Sequence, residues 1–169
     1  MALIGIDLGT TNSLIAVWEE SSDGAKPGPR LIPNATGSVL TPSAVSLLDD
    51  GVIVVGQAAY ERRLTHPGLT ATEFKRDMGS TRSYSIGKHT FSAEQLSALV
   101  LNSLKSDAEA NLGVPIDAAV ISVPAYFNDN QRKATLAAAD MAELKVTRLI
   151  NEPTAASLSY GIGHSSEDS

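Results

Sequence analysis

Residues 118–150 read AAVISVPAYFNDNQRKATLAAADMAELKVTRLI. The small and β-branched run 118–123 makes a buried strand, and Pro124 ends it because proline supplies no N–H to a ladder. Asn128 followed by Gln131 three residues on predicts a helix start, and the alanine-rich stretch carries that helix to about residue 143. Residues 146–150 form the next strand. A strand, a helix and a strand in this order make a parallel crossover unit.

Outward from that unit, two apolar runs at 2–7 and 13–18 flank Leu8-Gly9-Thr10-Thr11-Asn12. They predict an antiparallel hairpin inside a sheet covered on both faces. Residues 19–29 form a Ser, Gly and Pro-rich loop, and further strands fall at 30–32, 44–48 and 52–55, the last two joined by Asp49-Asp50-Gly51. Parallel and antiparallel portions together predict a mixed sheet of the α/β class. Residues 57–64 can form a helix stopped by His66-Pro67-Gly68, and 72–78 a shorter helical turn closed by Gly79. The clearest helix starts at the Ser92 capping box, keeps Leu96, Leu99, Val100, Ser103, Leu104, Ala108 and Leu112 on one face, and stops at Gly113 and Pro115. Pro153 suits the first turn of a final helix, and 163–169 is a polar tail.

With 169 residues, 43% apolar and 19% charged, the chain can bury the core of one domain. No apolar run approaches the ~20 residues of a bilayer span. The net charge of -6 argues against nucleic acid or an anionic membrane as partner. No cysteine is present, which removes disulfides, thiol nucleophiles and thiolate zinc sites. The start, Met1 to Asp7, lacks the basic region of a secretory signal, so the chain reads as cytoplasmic.

The turn after Asp7 carries the chemistry. Gly9 permits a tight turn whose backbone amides face an anion, and Thr10, Thr11 and Asn12 add side-chain donors. Asp7, ending a buried strand beside those donors, suits a hydrated magnesium ion, which takes only one or two carboxylates. The turn is neither a Walker A loop nor a GxGxxG fingerprint. An ordinary hairpin can carry the same residues, and the turn alone leaves both readings open.

GIDLGTTNS, beginning at Gly5, resembles the first phosphate motif of the actin-like ATPases, which include the DnaK (seventy-kilodalton heat-shock) chaperones and several sugar kinases. Residues 120–161, VISVPAYFNDNQRKATLAAADMAELKVTRLINEPTAASLSYG, resemble the long signature of the DnaK family. FKRDMGS at 74–80 matches its lysine-bearing segment, and TPSAV at Thr41 and VGQAA at Val55 follow the same order. Among branches, IAVW, His66-Pro67 and FKRDMGS look most like the HscC type.

The resemblance implies lobe I of a nucleotide-binding domain with an actin-like (ribonuclease H-like) fold and a mixed five-stranded sheet. Residues 1–35 and 114–169 would form the central subdomain, and 36–113 a smaller inserted α+β subdomain. It implies ATP or ADP with Mg²⁺ as cofactors, with weak or absent binding expected in the isolated lobe. Asp7 would hold the metal's waters, and Gly9, Thr10, Thr11 and Asn12 would cradle phosphates. Lys75 would face the γ-phosphate and the attacking water, with Arg76 beside it and Glu152 near the metal. Pro124 and Arg132 match an allosteric relay, and Arg148, Asn151 and Thr154 match contacts of a J-domain cochaperone. Read without the family, Lys75 and Arg132 are helix-surface charges, Pro124 is a strand terminator and Arg148 an edge charge.

Two departures stand out. Glu143 occupies the position where the family ends its signature helix with glycine, so that a left-handed cap there carries a steric penalty. The family's second phosphate motif, adenosine pocket, second lobe and peptide-binding domain do not occur in these residues. A nucleotide exchange factor and unfolded polypeptide would engage those parts, and the chain alone is expected to show little or no ATPase activity. The alternatives are a non-catalytic interaction module and half of an actin-like sugar kinase.

Overall fold

The computed structural model describes residues 3–19 and 28–151. Glu152, Thr154, the final helix expected from Pro153, the polar tail and most of the loop after Glu19 lie outside the described residues.

Strands β1 (Leu3–Leu8) and β2 (Asn12–Glu19) form the expected antiparallel hairpin, with Ile6 opposite Ile15 and Leu8 opposite Ser13. β3 (Gly28–Leu31) continues antiparallel on β2, so Gly28 and Pro29, expected in the loop, are strand residues paired with Glu19 and Trp18. The two-residue β4 (Thr41–Pro42) pairs with β2 at Ser13 and Asn12. On the other edge of β1 the chain adds a parallel strand much later in sequence, described with the crossover unit below.

Three strands build a small antiparallel sheet: β5 (Ala44–Leu47), β6 (Ile53–Val55) and β7 (Thr70–Thr72), in the order β6-β5-β7. The Asp49-Asp50-Gly51 turn joins β5 and β6 as expected, with Gly51 at φ 87°. The helix expected over 57–64 is shorter, α1 (Gln57–Glu61), and turns carry the chain on to His66. The helical turn expected over 72–78 is confined to a 3-10 turn, Phe74–Asp77, because Thr72 is held in β7 by its pairing with Ala44. A further hairpin, β8 (Ser83–Ile86) and β9 (His89–Ser92), turns at Gly87.

Both long helices begin with reciprocal caps. At α2 (Ala93–Leu112), Ser92 Oγ accepts from Gln95 N at 3.1 Å while Ser92 N donates to Gln95 Oε1 at 2.8 Å. At α3 (Asp129–Met141), Asn128 Oδ1 accepts from Gln131 N at 2.9 Å and Asn128 N donates to Gln131 Oε1 at 2.8 Å. Each pair satisfies two otherwise orphaned donors. Gly113 closes α2 in the left-handed conformation.

The crossover unit is β10 (Ala118–Val123), α3 and β11 (Lys145–Asn151). β10 lies parallel to β1, and β11 parallel to β10, which gives the mixed order β11-β10-β1-β2-β3. One face of this sheet supplies Ile4, Ile6, Leu8, Ile15, Val17 and Ile121 to a buried cluster that also contains Leu96, Val100, Leu101 and Leu104 of α2. Ala134, Ala138 and Ala139 of α3 join it, and small side chains let α3 pack closely against α2. Among the described residues no helix is long and apolar enough to cross a membrane.

α3 ends where the glycine was expected. Leu144 N donates to Ala139 O and Glu143 N to Asp140 O, at 2.9 and 3.0 Å, the paired bonds of a Schellman cap. Glu143 is the left-handed residue of that cap, at φ 58°. The helix therefore ends in the usual way, with a strained residue.

Candidate functional site

Asp7 and Ser122 stand opposite each other at the carboxyl ends of β1 and β10, and Ser122 Oγ donates to Asp7 Oδ1 at 3.0 Å. In an open parallel sheet, that end of the strands is where ligands are bound. The turn following Asp7 depends on Gly9 for space: a Cβ there would lie 2.1 Å from the carbonyl oxygen of Asn12.

The turn is braced from within. Gly9 N donates to Ser13 Oγ at 3.2 Å, Ser13 Oγ lies 2.8 Å from Ser43 Oγ, and Ser43 Oγ donates to Gly9 O at 2.8 Å. Because the Ser43 proton goes to Gly9 O, the Ser13 hydroxyl donates to Ser43, and the three bonds close a ring. Ser43 N also donates to Thr11 O at 2.8 Å. Ser13 and Ser43 are buried. The amide of Gly9 is thus turned inward, while Thr10 is half-buried and Thr11 and Asn12 are exposed at the tip.

Lys75 and Arg76 part company. Lys75 is 7% exposed and shares a small pocket with Leu8, Ser122, Val123 and Phe127, at the same strand ends as Asp7. Its Nζ lies 5.7 Å from the centre of the Phe127 ring. Arg76 points to solvent and pairs with Glu73 at 3.1 Å.

Local structure explains the inward lysine. Glu73 takes a left-handed conformation at φ 56°, and Phe74 behind it is buried edge-on against the Tyr84 ring. Asp77 Oδ2 accepts from the Tyr84 hydroxyl and from Arg82 NH1, the latter at 3.1 Å. Burial, the hydrogen bond to Asp77 and the Asp77 charge together push the Tyr84 phenol up to about 12. Gly79 N donates to Glu94 Oε1 at 2.9 Å, and a Cβ on Gly79 would come 3.1 Å from the backbone of Asn130. The lysine segment is clasped between the β8–β9 hairpin and the two long helices.

Pro124, Arg132 and Asn151 also come together. Pro124 is buried, and its carbonyl accepts from Phe127 N at 3.0 Å. Arg132 Nε donates to Phe127 O at 3.3 Å and Arg132 NH2 to Asn151 Oδ1 at 3.1 Å. Phe127 therefore touches Lys75 through its ring and Arg132 through its carbonyl. Arg148 is exposed on β11. Ser13, Ser43, Phe127, Asp77 and Tyr84 were not among the residues expected at the site; TPSAV marked the neighbourhood of Ser43 without giving its role.

Among the described residues no three His, Asp or Glu side chains gather into a metal cage. The single carboxylate of Asp7, beside hydroxyl groups, suits a hydrated magnesium ion, which takes only one or two carboxylates.

Compared with known protein families, the chain matches the Hsp70 protein family over residues 3–86 and 81–169. The two matches run through the Gly9 turn, the lysine segment and the crossover unit in one order, on a mixed sheet that fits an actin-like ATPase lobe. The chain belongs to the Hsp70 protein family, whose members are ATP-binding chaperones.

Proposed function

We propose that the chain is lobe I of a nucleotide-binding domain and forms half of an ATP and magnesium cleft. The observation that carries this reading is the convergence of Asp7, the Gly9 turn and buried Lys75 on the carboxyl ends of β1 and β10. Asp7 organises the metal's waters, and Thr10, Thr11 and Asn12 offer donors to the β- and γ-phosphates. Lys75 supplies a fixed cation, which in a desolvated pocket stabilises charge developing on a transferring phosphoryl group. Glu152 orients water near the metal. Magnesium, when bound, neutralises phosphate charge. Arg76, paired outward with Glu73, is left a peripheral part.

The hydrogen-bond chain from Pro124 through Phe127 and Arg132 to Asn151 supports a relay from the nucleotide to the β11 edge. There, Arg148, Asn151 and Thr154 receive the acidic motif of a J-domain cochaperone. Unfolded polypeptide and an exchange factor engage the second lobe and the peptide-binding domain of such a chaperone. The division into 1–35 with 114–169, and 36–113 between them, is supported by the two small sheets that fall within the middle segment, although one buried cluster runs through both parts. The HscC-type branch rests on the sequence features alone, and the sugar-kinase alternative draws no support from the family match.

The test is amide NMR of the chain titrated with ADP and magnesium. Shifts centred on residues 9–13 and 75, losing their magnesium dependence in a folded Asp7→Asn variant, support the reading. Nucleotide shifts that fall away from the turn and leave residues 9–13 and 75 unperturbed overturn it. The chain alone turns over little or no ATP, since catalysis of this kind is mostly positioning between two lobes.

A further inference from the structure

The register lays a row of four residues across the sheet: Leu14 of β2, Asp7 of β1, Ser122 of β10 and Ile150 of β11. Residues level with one another on adjacent strands point to the same face, so these side chains are neighbours. Leu14 and Ile150 are aliphatic and offer no hydrogen bond. Within the row, the Asp7 carboxylate has one polar neighbour, the hydroxyl of Ser122, which is 2% exposed. A serine has one proton to give, and two acceptors stand near it: Asp7 Oδ1 at 3.0 Å and Ile6 O at 3.4 Å. The shorter distance and the negative charge both favour the carboxylate. Ser122 also lines the small pocket that holds Lys75 and Phe127, so this short side chain adjoins both charged groups at the strand ends.

We propose that Ser122 is a positioning residue for the metal: its hydroxyl ties Asp7 Oδ1 to β10 and so fixes the rotamer in which the carboxylate meets the waters of magnesium. This rests on the proposal of an ATP and magnesium cleft. A carboxylate at a strand end turns about two side-chain bonds, and a hydrated ion held by only one or two carboxylates is sensitive to where their oxygens stand. Removing the partner that orients a metal-binding group weakens metal affinity by about 10-fold or more. The low dielectric of a buried row strengthens the bond that does the orienting. Were the serine proton given to Ile6 O instead, Ser122 would be a packing residue with no bearing on the metal, and the two roles are separable by experiment.

Threonine and valine are both β-branched and differ by the hydroxyl, so Ser122→Thr and Ser122→Val share any packing cost. Two readouts are taken on the whole chain. Without ligand, three-bond NMR couplings across the Cα–Cβ bond of Asp7 report its rotamer. One rotamer is expected in the wild-type chain and in Ser122→Thr, and averaging in Ser122→Val. With ADP, the apparent dissociation constant is read from the amides of residues 9–13 with and without magnesium. The gain in affinity that magnesium brings should fall about 10-fold in Ser122→Val and be kept in Ser122→Thr, while binding of ADP without magnesium is the same in both. A packing role would change binding with and without magnesium alike. Ser122→Ala, which removes the hydroxyl and adds no volume, should behave as Ser122→Val and carries the comparison if the larger side chains unfold the chain. An Asp7 rotamer or a magnesium gain that is indifferent to the hydroxyl overturns the inference and leaves the cleft proposal standing. A wild-type chain with no magnesium-linked shift at the turn overturns the cleft proposal and this inference with it.

Discussion

The hydroxyls of Ser13 and Ser43 meet at 2.8 Å and hold both the amide and the carbonyl of Gly9 in one closed ring of hydrogen bonds. Every polar group in the ring has a partner, and both serines are buried. The turn after Asp7 is thereby held in shape by a residue from a different segment, and the loop is already formed without any ligand.

Ser43→Ala removes two of the three bonds of that ring and leaves Gly9 O and Ser13 short of partners in a buried site. The expected loss is about 1–3 kcal/mol in denaturant unfolding. Because the ring acts as a unit, Ser13→Ala with Ser43→Ala should cost less than the sum of the two single changes. Strict additivity would show that the bonds act independently.

Glu143→Gly should stabilise the chain. A non-glycine residue in the left-handed region costs roughly 1–2 kcal/mol, offset in part by the greater freedom that glycine gives the unfolded chain. A net gain of about 0.5–1 kcal/mol is expected, read as a higher denaturation midpoint with unchanged m-value. A lower midpoint would mean that the Glu143 side chain contributes more than its backbone strain costs.

Alkaline stability should depend on Tyr84. Its folded pKa is raised, to about 12 from a reference of 10.0, so the neutral phenol is the form the fold favours. The contribution is complete below pH 10 and is lost as pH rises from 10 towards 12. Lysines also titrate in that range, so the informative quantity is the difference between the wild-type chain and Tyr84→Phe. That difference should shrink as pH climbs from 9 to 12; a constant difference would refute the clasp through Asp77.

Phe127→Leu keeps an apolar side chain in the pocket and removes the ring beside Lys75. The backbone carbonyl that accepts from Arg132 is retained. Nucleotide-dependent NMR shifts at Arg132 and Asn151 should weaken relative to those at the turn. Undiminished shifts at the far end would show that the ring carries no part of the relay.

What the sequence made legible was local. The capping boxes at Ser92 and Asn128, the Asp-Gly turn at Gly51 and the hairpin around Gly9 each depend on residues within a few positions of one another. The β8–β9 hairpin is not legible in the sequence because each strand has only four residues and the pair carries just three large apolar side chains, Tyr84, Ile86 and Phe91, too few to mark a period. The shortening of the segment at 72–78 reflects a strand partner from β5, which no local propensity reveals. At the site, Asp7 and Lys75 were visible through motif resemblance. Ser43 and Phe127 were not, since their roles arise only when distant segments meet. The inward turn of Lys75 and the outward turn of Arg76 likewise required the anchoring of Phe74 against Tyr84.

The parallel pairing of β1 with β10 has a consequence for the order of events at the ribosome. β1 and β2 are made one directly after the other, and they can pair within moments. The other edge of β1 must wait for Val120 and Ser122, 115 residues beyond Asp7 in the case of Ser122. At roughly 5–20 residues per second, that wait lasts roughly 6–23 s. Throughout it, an apolar strand offers an unpaired edge to any passing chain. A protein of a chaperone family thus exposes, while it is being made, the kind of apolar edge from which other chains must be kept away.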